Sequence, residues 1–363
     1  MSNYFEIDFL DVESKKSGDA IAMRYRIDGV TTIHITDGGF QATGEVLANH
    51  IRKYYGSPTH IDHVVVTHPD GDHAGGLRHI LETFSIGELW LHRPWIYADE
   101  LIDRFSRLTN VENLKKRLKE IYPNITALEE IAMNRGISIR EPFQGSKIGA
   151  FTVLTPSKSR YLDLVVESEK TPEVVVEKAA ASAGSLSALF EAVTTGVKTF
   201  IRALWGAETF SPEETSSENE MSVVQYACIN NRKILLTGDT GRAGLIEAAA
   251  YAPIVSLQLP GIDRFQVPHH GSRRNVSTET LDTWLGRRLD APPKEGQESF
   301  TAIVSSAKAD EDHPRRAVIR AMIHRGAKVV TTEGQGIRTS DGAPDREGWS
   351  PAKSVPYPED QEE

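Results

Sequence analysis

Val64-Val65-Val66-Thr67-His68-Pro69-Asp70-Gly71-Asp72-His73-Ala74-Gly75-Gly76 joins a strand to a helix through a loop crowded with ligand-type side chains. Ile61 to Thr67 is a compact β-branched run, the form taken by a strand buried on both faces. It passes straight into a polar, glycine-bearing loop, and Leu77-Arg78-His79-Ile80-Leu81 then begins a helix. Two histidines and two aspartates within six residues therefore lie at the C-terminal end of a strand, where open α/β sheets place their sites. Histidine and aspartate supply nitrogen and oxygen ligands for divalent cations, and the glycines let the backbone turn tightly enough for them to converge. One such histidine would read as structural. Four ligand-type residues in one short loop predict a metal site able to serve two adjacent ions.

Outward from that loop the chain alternates strand and helix. Residues 4–12 and 20–35 read as an N-terminal hairpin or meander closed by Gly18-Asp19 and Asp37-Gly38-Gly39, and residues 42–54 have helical spacing. Further strand-like runs at 86–91, 149–154, 222–229, 233–237, 302–305 and 328–332 predict α/β layers with substantial sheet. The expected main domain spans 1–340, with a helical subdomain inserted at 157–218. Within it, the apolar stripe from Leu186 through Phe200, Ile201 and Leu204 to Trp205, after Ser185 and before Gly206, predicts one amphipathic helix. That helix would pack on the core or serve as a lid, a homodimer surface or a contact for a partner protein. Only Lys198 and Arg202 are cations on its polar face, which disfavours membrane binding. The Pro- and acid-rich stretch 341–363 reads as a mobile tail.

Composition sets bounds. Forty-one Lys+Arg against 51 Asp+Glu give a formal charge of -10, so general electrostatics would not draw a polyanion to this chain. Any such substrate needs a local attractor: metal ions or a basic rim. The single cysteine, Cys228, excludes a disulfide framework and a cysteine zinc site, and its apolar surroundings predict a buried strand thiol. No signal-peptide core and no run of about 18 apolar residues is present, which predicts a cytoplasmic protein without stable membrane insertion.

The loop resembles that of the metallo-β-lactamase-fold hydrolases, His-x-His-x-Asp-His, with Asp70 in place of the second histidine. This variant is similar to the hydrolase domain of the competence DNA-uptake protein and its stand-alone relatives. The similarity continues in order: Phe9-Leu10-Asp11-Val12 with Gly18-Asp19-Ala20, across a loop lengthened by Glu13 to Ser17; Thr36-Asp37-Gly38-Gly39; Asn219-Glu220-Met221-Ser222; Leu235-Leu236-Thr237-Gly238-Asp239; Val267-Pro268-His269-His270-Gly271-Ser272; and Val304-Ser305-Ser306-Ala307-Lys308 with Asp312-His313-Pro314. The resemblance implies a four-layer αββα fold with a helical insertion, in which Asp37 helps orient the metal loop and Asp239 bridges two metals. The superfamily's usual third-motif histidine is absent, and Asn219 or Ser222 stands in its place.

On this reading His68 and Asp70 serve one ion, Asp72 and His73 the other, and either His269 or His270 completes the second shell. Asp70 hardens the first site, so Mn²⁺ rivals Zn²⁺. Asp72 and His313 are the expected catalytic residues, His313 as a proton donor to the leaving oxygen. Ser272, Arg273, Lys308 and Asn219 are expected to contact substrate, since hydroxyl, guanidinium and ammonium donors suit a phosphate. The expected activity is a binuclear metal-dependent phosphodiesterase or nuclease acting on nucleic acid or nucleotides. The rivals are a hydrolase of a non-phosphate ester or lactam, and a catalytically silent metal-binding module in a multi-protein assembly.

Overall fold

Alternation along Tyr4–Phe9 (β1) sends Phe5, Ile7 and Phe9 to one face and Glu6 and Asp8 to the other, yet all five are buried. A strand covered on both sides needs a second layer over each face, and the computed structural model supplies it. It describes residues 2–12, 14–105, 109–171 and 200–362. The remaining strands are β2 (Ala20–Ile27), β3 (Val30–Gly38), β4 (His60–Val65), β5 (Ser85–Trp90), β6 (Ser138–Arg140), β7 (Lys147–Ile148), β8 (Phe151–Thr155), β9 (Phe200–Arg202), β10 (Val224–Ile229), β11 (Arg232–Leu236), β12 (Arg264–Gln266), β13 (Phe300–Val304), β14 (Ala327–Thr331), β15 (Ile337–Asp341) and β16 (Asp360–Glu362). They form two seven-stranded sheets, ordered β15-β1-β2-β3-β4-β5-β6 and β14-β13-β12-β11-β10-β8-β7, and a small β16-β9 ladder.

Phe5, Ile7, Phe9, Ile21 and Met23 of the first sheet pack against Phe151, Ala227, Ile234, Leu236, Ile303 and Val330 of the second. The outer face of the first sheet (Ile35, Val64, Leu89) is covered by helices carrying Leu47, Ile51, Leu77, Ile80, Leu114 and Leu128. The outer face of the second (Leu235, Phe265, Ala302, Val329) is covered by Leu245, Leu281, Trp284, Val318 and Met322. The expected αββα layering follows from these three cores.

Strand direction locates the site. β3, β4, β5 and β6 are mutually parallel, as are β11, β12, β13 and β14. Their C-terminal ends gather at one edge of the sandwich, so the loops after β3, β4, β11, β12 and β13 meet there. β2 runs antiparallel to β3, with Ala20 opposite Gly38, which brings the start of β2 to the same edge.

Three expectations need correction. Most of the helix expected from Leu186 to Trp205 lies outside the described residues, but its end is not helical: Phe200–Arg202 is a strand paired with Asp360–Glu362. Residues 341–362, the described part of the expected mobile tail 341–363, are held to the body of the protein. Arg346 donates from Nη1 to Asp8 Oδ1 at 2.8 Å and from Nη2 to Asp8 Oδ2 at 2.7 Å and Glu6 Oε2 at 2.9 Å, while Glu362 caps the helix Arg316–His324 by accepting from the amides of Arg316 and Ala317. Composition reads those charges as solvated because their partners are distant in sequence, more than 300 residues for Arg346 and about 45 for Glu362. Cys228 sits on a strand as expected, but it is exposed, because β10 turns that position outward. Among the described residues no helix is long and apolar enough to cross a membrane.

The Arg346 contact carries a prediction. Glu6 and Asp8 are 1% exposed; in Arg346→Ala Glu6 keeps Arg24 and Arg338, but Asp8 is left with His50 and Tyr55 alone, which should cost about 3 kcal/mol in denaturant unfolding at pH 7. Burial opposes the charge on Asp8, but His50 and Arg346 outweigh it and hold its carboxyl below the usual range. A depressed carboxyl stabilises the fold above its unfolded pKa of about 3.9 and loses that contribution as pH falls through the lower folded value. The stability curves of the two proteins should therefore converge in acid. Equal stability at pH 7 would show that the tail is not clasped.

Candidate metal centre

One carboxylate organises the first half of the site. Asp37, at the end of β3 with a positive φ of 58°, accepts from Thr67 N at 2.8 Å and Thr67 Oγ1 at 2.6 Å, and from His73 Nδ1 at 2.8 Å. Thr67 ends the strand run and His73 lies in the short helix Gly71–Ala74, so Asp37 ties strand end to helix. Thr67 Oγ1 also lies 3.0 Å from His68 Nδ1. Gly76 permits this closeness, since a Cβ there would collide with the carbonyl oxygen of Gly38.

The second sheet supplies the other half. Asp239 follows β11 through the Thr237-Gly238 turn, its amide donating to Ser222 Oγ at 3.1 Å and its carbonyl accepting from Asn275 Nδ2 at 2.8 Å. His269 and His270 follow β12 with φ of 48° and 54°, a left-handed pair that sends the two rings in different directions. His270 Nδ1 contacts the Ser305 carbonyl at 2.9 Å.

With Nδ1 engaged in each ring, the Nε2 atoms of His68, His73 and His270 are buried and have no hydrogen-bond partner; neither do Oδ1 of Asp239 and Oδ1 of Asp19. Asp239 lies 3.8 Å from His68 Nε2, 3.3 Å from His73 Nε2 and 3.8 Å from His270 Nε2, and Asp72 Oδ2 lies 3.8 Å from His270 Nε2. Ligand atoms of His68, His73 and Asp239, and of Asp72, His73 and His270, each fall within 4.8 Å of one another, as do those of Asp19, Asp239 and His270. Buried polar atoms are almost always satisfied. Several orphaned lone pairs aimed at one volume fit divalent cations, and an imidazole whose other nitrogen is already held is the form that ligates a metal.

The electrostatics agree. Burial would lower the pKa of His73, but the Asp239 and Asp37 carboxylates outweigh it and raise that pKa well above the usual value. Burial likewise opposes charge on His270, yet Asp239 and Asp72 push it up to about 9. For Asp239 the neighbouring imidazoles overcome burial and hold the carboxyl far below its usual range. His269 moves the other way, down to about 4, because burial dominates and His270 and His313 add repulsion. The cluster is a sink of negative charge that asks for protons or metal.

The residues singled out in the sequence divide as follows. His68, Asp72, His73, Asp239 and His270 converge. Asp70 stays at the rim, 3.9 Å from His68 Nε2 and paired at 2.8 Å with Lys170 Nζ. His270, not His269, is enclosed by carboxylates; His269 Nε2 is 3.7 Å from Asp239, while its Nδ1 lies 3.0 Å from Asn275 and 3.2 Å from Asn219. Asn219 is buried, 3.2 Å from His269 Nδ1, and donates to Thr215 Oγ1 at 2.7 Å. Ser272 is buried and accepts from the Arg274 amide. Arg273 donates from Nη1 to the carbonyls of Thr209 and Glu362 at 3.4 and 3.3 Å. Lys308 is exposed. His313 reaches the cluster, its ring centroid 5.5 Å from that of His269, and its Nδ1 is 3.3 Å from Asp310 Oδ2. Sequence reasoning gave Asp19 no role. Its signal was position, since the Gly18-Asp19 turn precedes a strand that must pair beside Asp37-Gly38-Gly39.

The metallo-beta-lactamase superfamily model matches residues 29–128, which run from β3 through the metal loop. Over those residues the chain is similar to the metallo-beta-lactamase superfamily. No curated protein matches the sequence. Among solved structures, the hydrolase AbOPH of the beta lactamase superfamily is 10% identical over 61% of this chain, with a TM-score of 0.27, and the match spans only 56% of AbOPH. The metallo-beta-lactamase fold protein YhfI from Bacillus subtilis is 10% identical over 93% of this chain and 100% of its own, with a TM-score of 0.38. A diphosphatase from the PhnP family is 9% identical over 93% of this chain and 99% of its own, with a TM-score of 0.33.

If Asp37 orients the ligands as described, Asp37→Ala should lower affinity for a divalent ion by about 10–100-fold, measured by competition with a chelator. An unchanged affinity would mean that His68 and His73 are held by their packing alone.

Proposed function

We propose that this chain is a binuclear metal-dependent hydrolase acting on a phosphodiester, in nucleic acid or a nucleotide. His68, His73, Asp72, Asp239 and His270 would hold the ions, with Zn²⁺ and Mn²⁺ both compatible with the mixed nitrogen and oxygen donors. Bound there, two divalent ions would supply a hydroxide at neutral pH and positive charge beside a phosphoryl oxygen. Asp72, at the open side of the cluster beside His270, would position the attacking water.

The observation that carries the reading is the His313–Asp310 pair. Asp310 is fixed by Ser17 N at 2.9 Å and Ser17 Oγ at 2.7 Å. Burial works against its charge, but His313 and Ser17 hold its carboxyl well below the usual range. The Asp310 carboxylate on Nδ1 orients the His313 ring, whose centroid lies 5.5 Å from that of His269 and 6.1 Å from that of His270, where it would serve as proton donor to an alkoxide leaving group. Lys308 would meet a non-bridging oxygen or a neighbouring phosphate, with Ser272 lining the loop. The second reading is a hydrolase of a non-phosphate ester.

The test is metal-loaded protein against labelled DNA, RNA, cyclic nucleotides and a chromogenic diester, beside nitrocefin and a thioester. Turnover of nitrocefin or the thioester with every diester intact would sink the phosphodiesterase reading. His313→Ala should retain both metals by elemental analysis yet lose about 10²–10⁴ in turnover. Lys308→Ala should chiefly raise KM, and that effect should shrink as ionic strength rises, because an exposed charge is screened by salt. A salt-independent fall in kcat would instead place Lys308 in the chemistry.

A further inference from the structure

We propose that Asp19 is itself a metal ligand, closing the centre from the start of β2; this rests on the metal-hydrolase reading above. The argument begins with topology. Ala20 pairs with Gly38, so the residue before β2 must lie beside the turn that carries Asp37. Asp19 is locked there by its own backbone: its amide donates to the Asp72 carbonyl at 3.1 Å and its carbonyl accepts from Gly39 N at 2.6 Å. Gly18 makes the approach possible, since a Cβ at that position would sit 2.6 Å from the Asp72 carbonyl oxygen.

The carboxylate is 1% exposed and only half satisfied. Oδ2 accepts from Gln266 Nε2 at 2.9 Å and stands 3.8 Å from His73 Nδ1, while Oδ1 has no hydrogen bond. A purely structural aspartate at this depth would have both oxygens served, because an unserved buried carboxylate oxygen is expensive. Its ligand atom falls within 4.8 Å of those of Asp239 and His270, whose own orphaned atoms face the same volume. The chain has no histidine between His92 and His269, so beyond the three Nε2 atoms, Asp72 and Asp239 the buried donor still open to an ion at this point is the Asp19 carboxylate. Gln266, by holding Oδ2, aims Oδ1 inward, the role that second partners of ligating carboxylates perform.

Asp19→Asn keeps side-chain size and the hydrogen bond from Gln266. The full chain, stripped by chelator, is titrated with Zn²⁺ and melted with and without the ion. We expect one Zn²⁺ to bind at least about 10-fold more weakly, with the metal-free melting temperature unchanged or raised, since a buried charge beside Asp37, Asp72 and Asp239 has been removed. A fall in metal-free stability with Zn²⁺ affinity intact would make Asp19 structural and overturn the proposal. Anomalous diffraction from Zn²⁺-loaded crystals of the unaltered chain reads the same point without a variant. An ion about 2.0–2.2 Å from Asp19 Oδ1 supports ligation, and no ion within about 3.5 Å overturns it. Failure of the unaltered chain to bind Zn²⁺ would remove the metal-hydrolase reading, whereas tight binding indifferent to Asp19 would remove this inference alone.

Discussion

The buried Asp37 carboxylate is the constraint around which the site is built. It takes three donors, two from Thr67 and one from His73, and so couples the end of one strand to the end of the next and to the helix that follows. Charge-assisted bonds of this kind compensate a carboxylate for leaving water. Because Thr67 Oγ1 gives its proton to Asp37, it is left to accept from His68 Nδ1. One side chain thereby sets the tautomers of His68 and His73 together and leaves both Nε2 atoms facing Asp239. The second sheet repeats the device with a backbone acceptor, the Ser305 carbonyl beneath His270.

The strand-loop-helix at Val64–Gly76 was legible because β-branched residues, glycines and ligand-type side chains all gave the same local answer. The two-layer sheet was legible from its apolar runs, down to most strand positions. What sequence could not show was which of several chemically equivalent groups meets which. His269 and His270 are indistinguishable as letters; the left-handed backbone at both residues turns one toward Asp72 and the other toward Asn275. Asp70 is a good ligand type in a ligand motif, yet its partner is Lys170, a hundred residues away. Asp19 shows the converse, an unremarked acid whose place follows only from strand register.

The acidic C-terminal stretch illustrates why composition misleads about order. Its charges read as solvating, but Arg346 meets Glu6 and Asp8 on the outer face of β1, and Glu362 meets the free amides that open the helix Arg316–His324. β16 also pairs with β9, so the segment before β10 and the end of the chain are folded as one unit against the second sheet. Arg273 joins that unit through the Thr209 and Glu362 carbonyls. A guanidinium next to a histidine motif suggests substrate, but five donors in a rigid fork serve equally well to bind carbonyl oxygens where two segments meet.

Charge decides what such a site could accept. A chain of net charge -10 whose centre gathers Asp19, Asp37, Asp72 and Asp239 offers an anion little net attraction. Lys170, paired with Asp70 at the rim, cannot reverse this alone, because at physiological salt an exposed charge acts over only about 8 Å. On the proposed reading the ions do it: two divalent cations offset four carboxylates, and the local field then belongs to the rim lysine and to His313. Binding of an anionic substrate would thus be conditional on metal, and the acid excess that argues against nucleic-acid binding in the free chain is the same feature that gathers the ions. Phosphodiester and metal would be recognised in sequence, the second creating the field that admits the first.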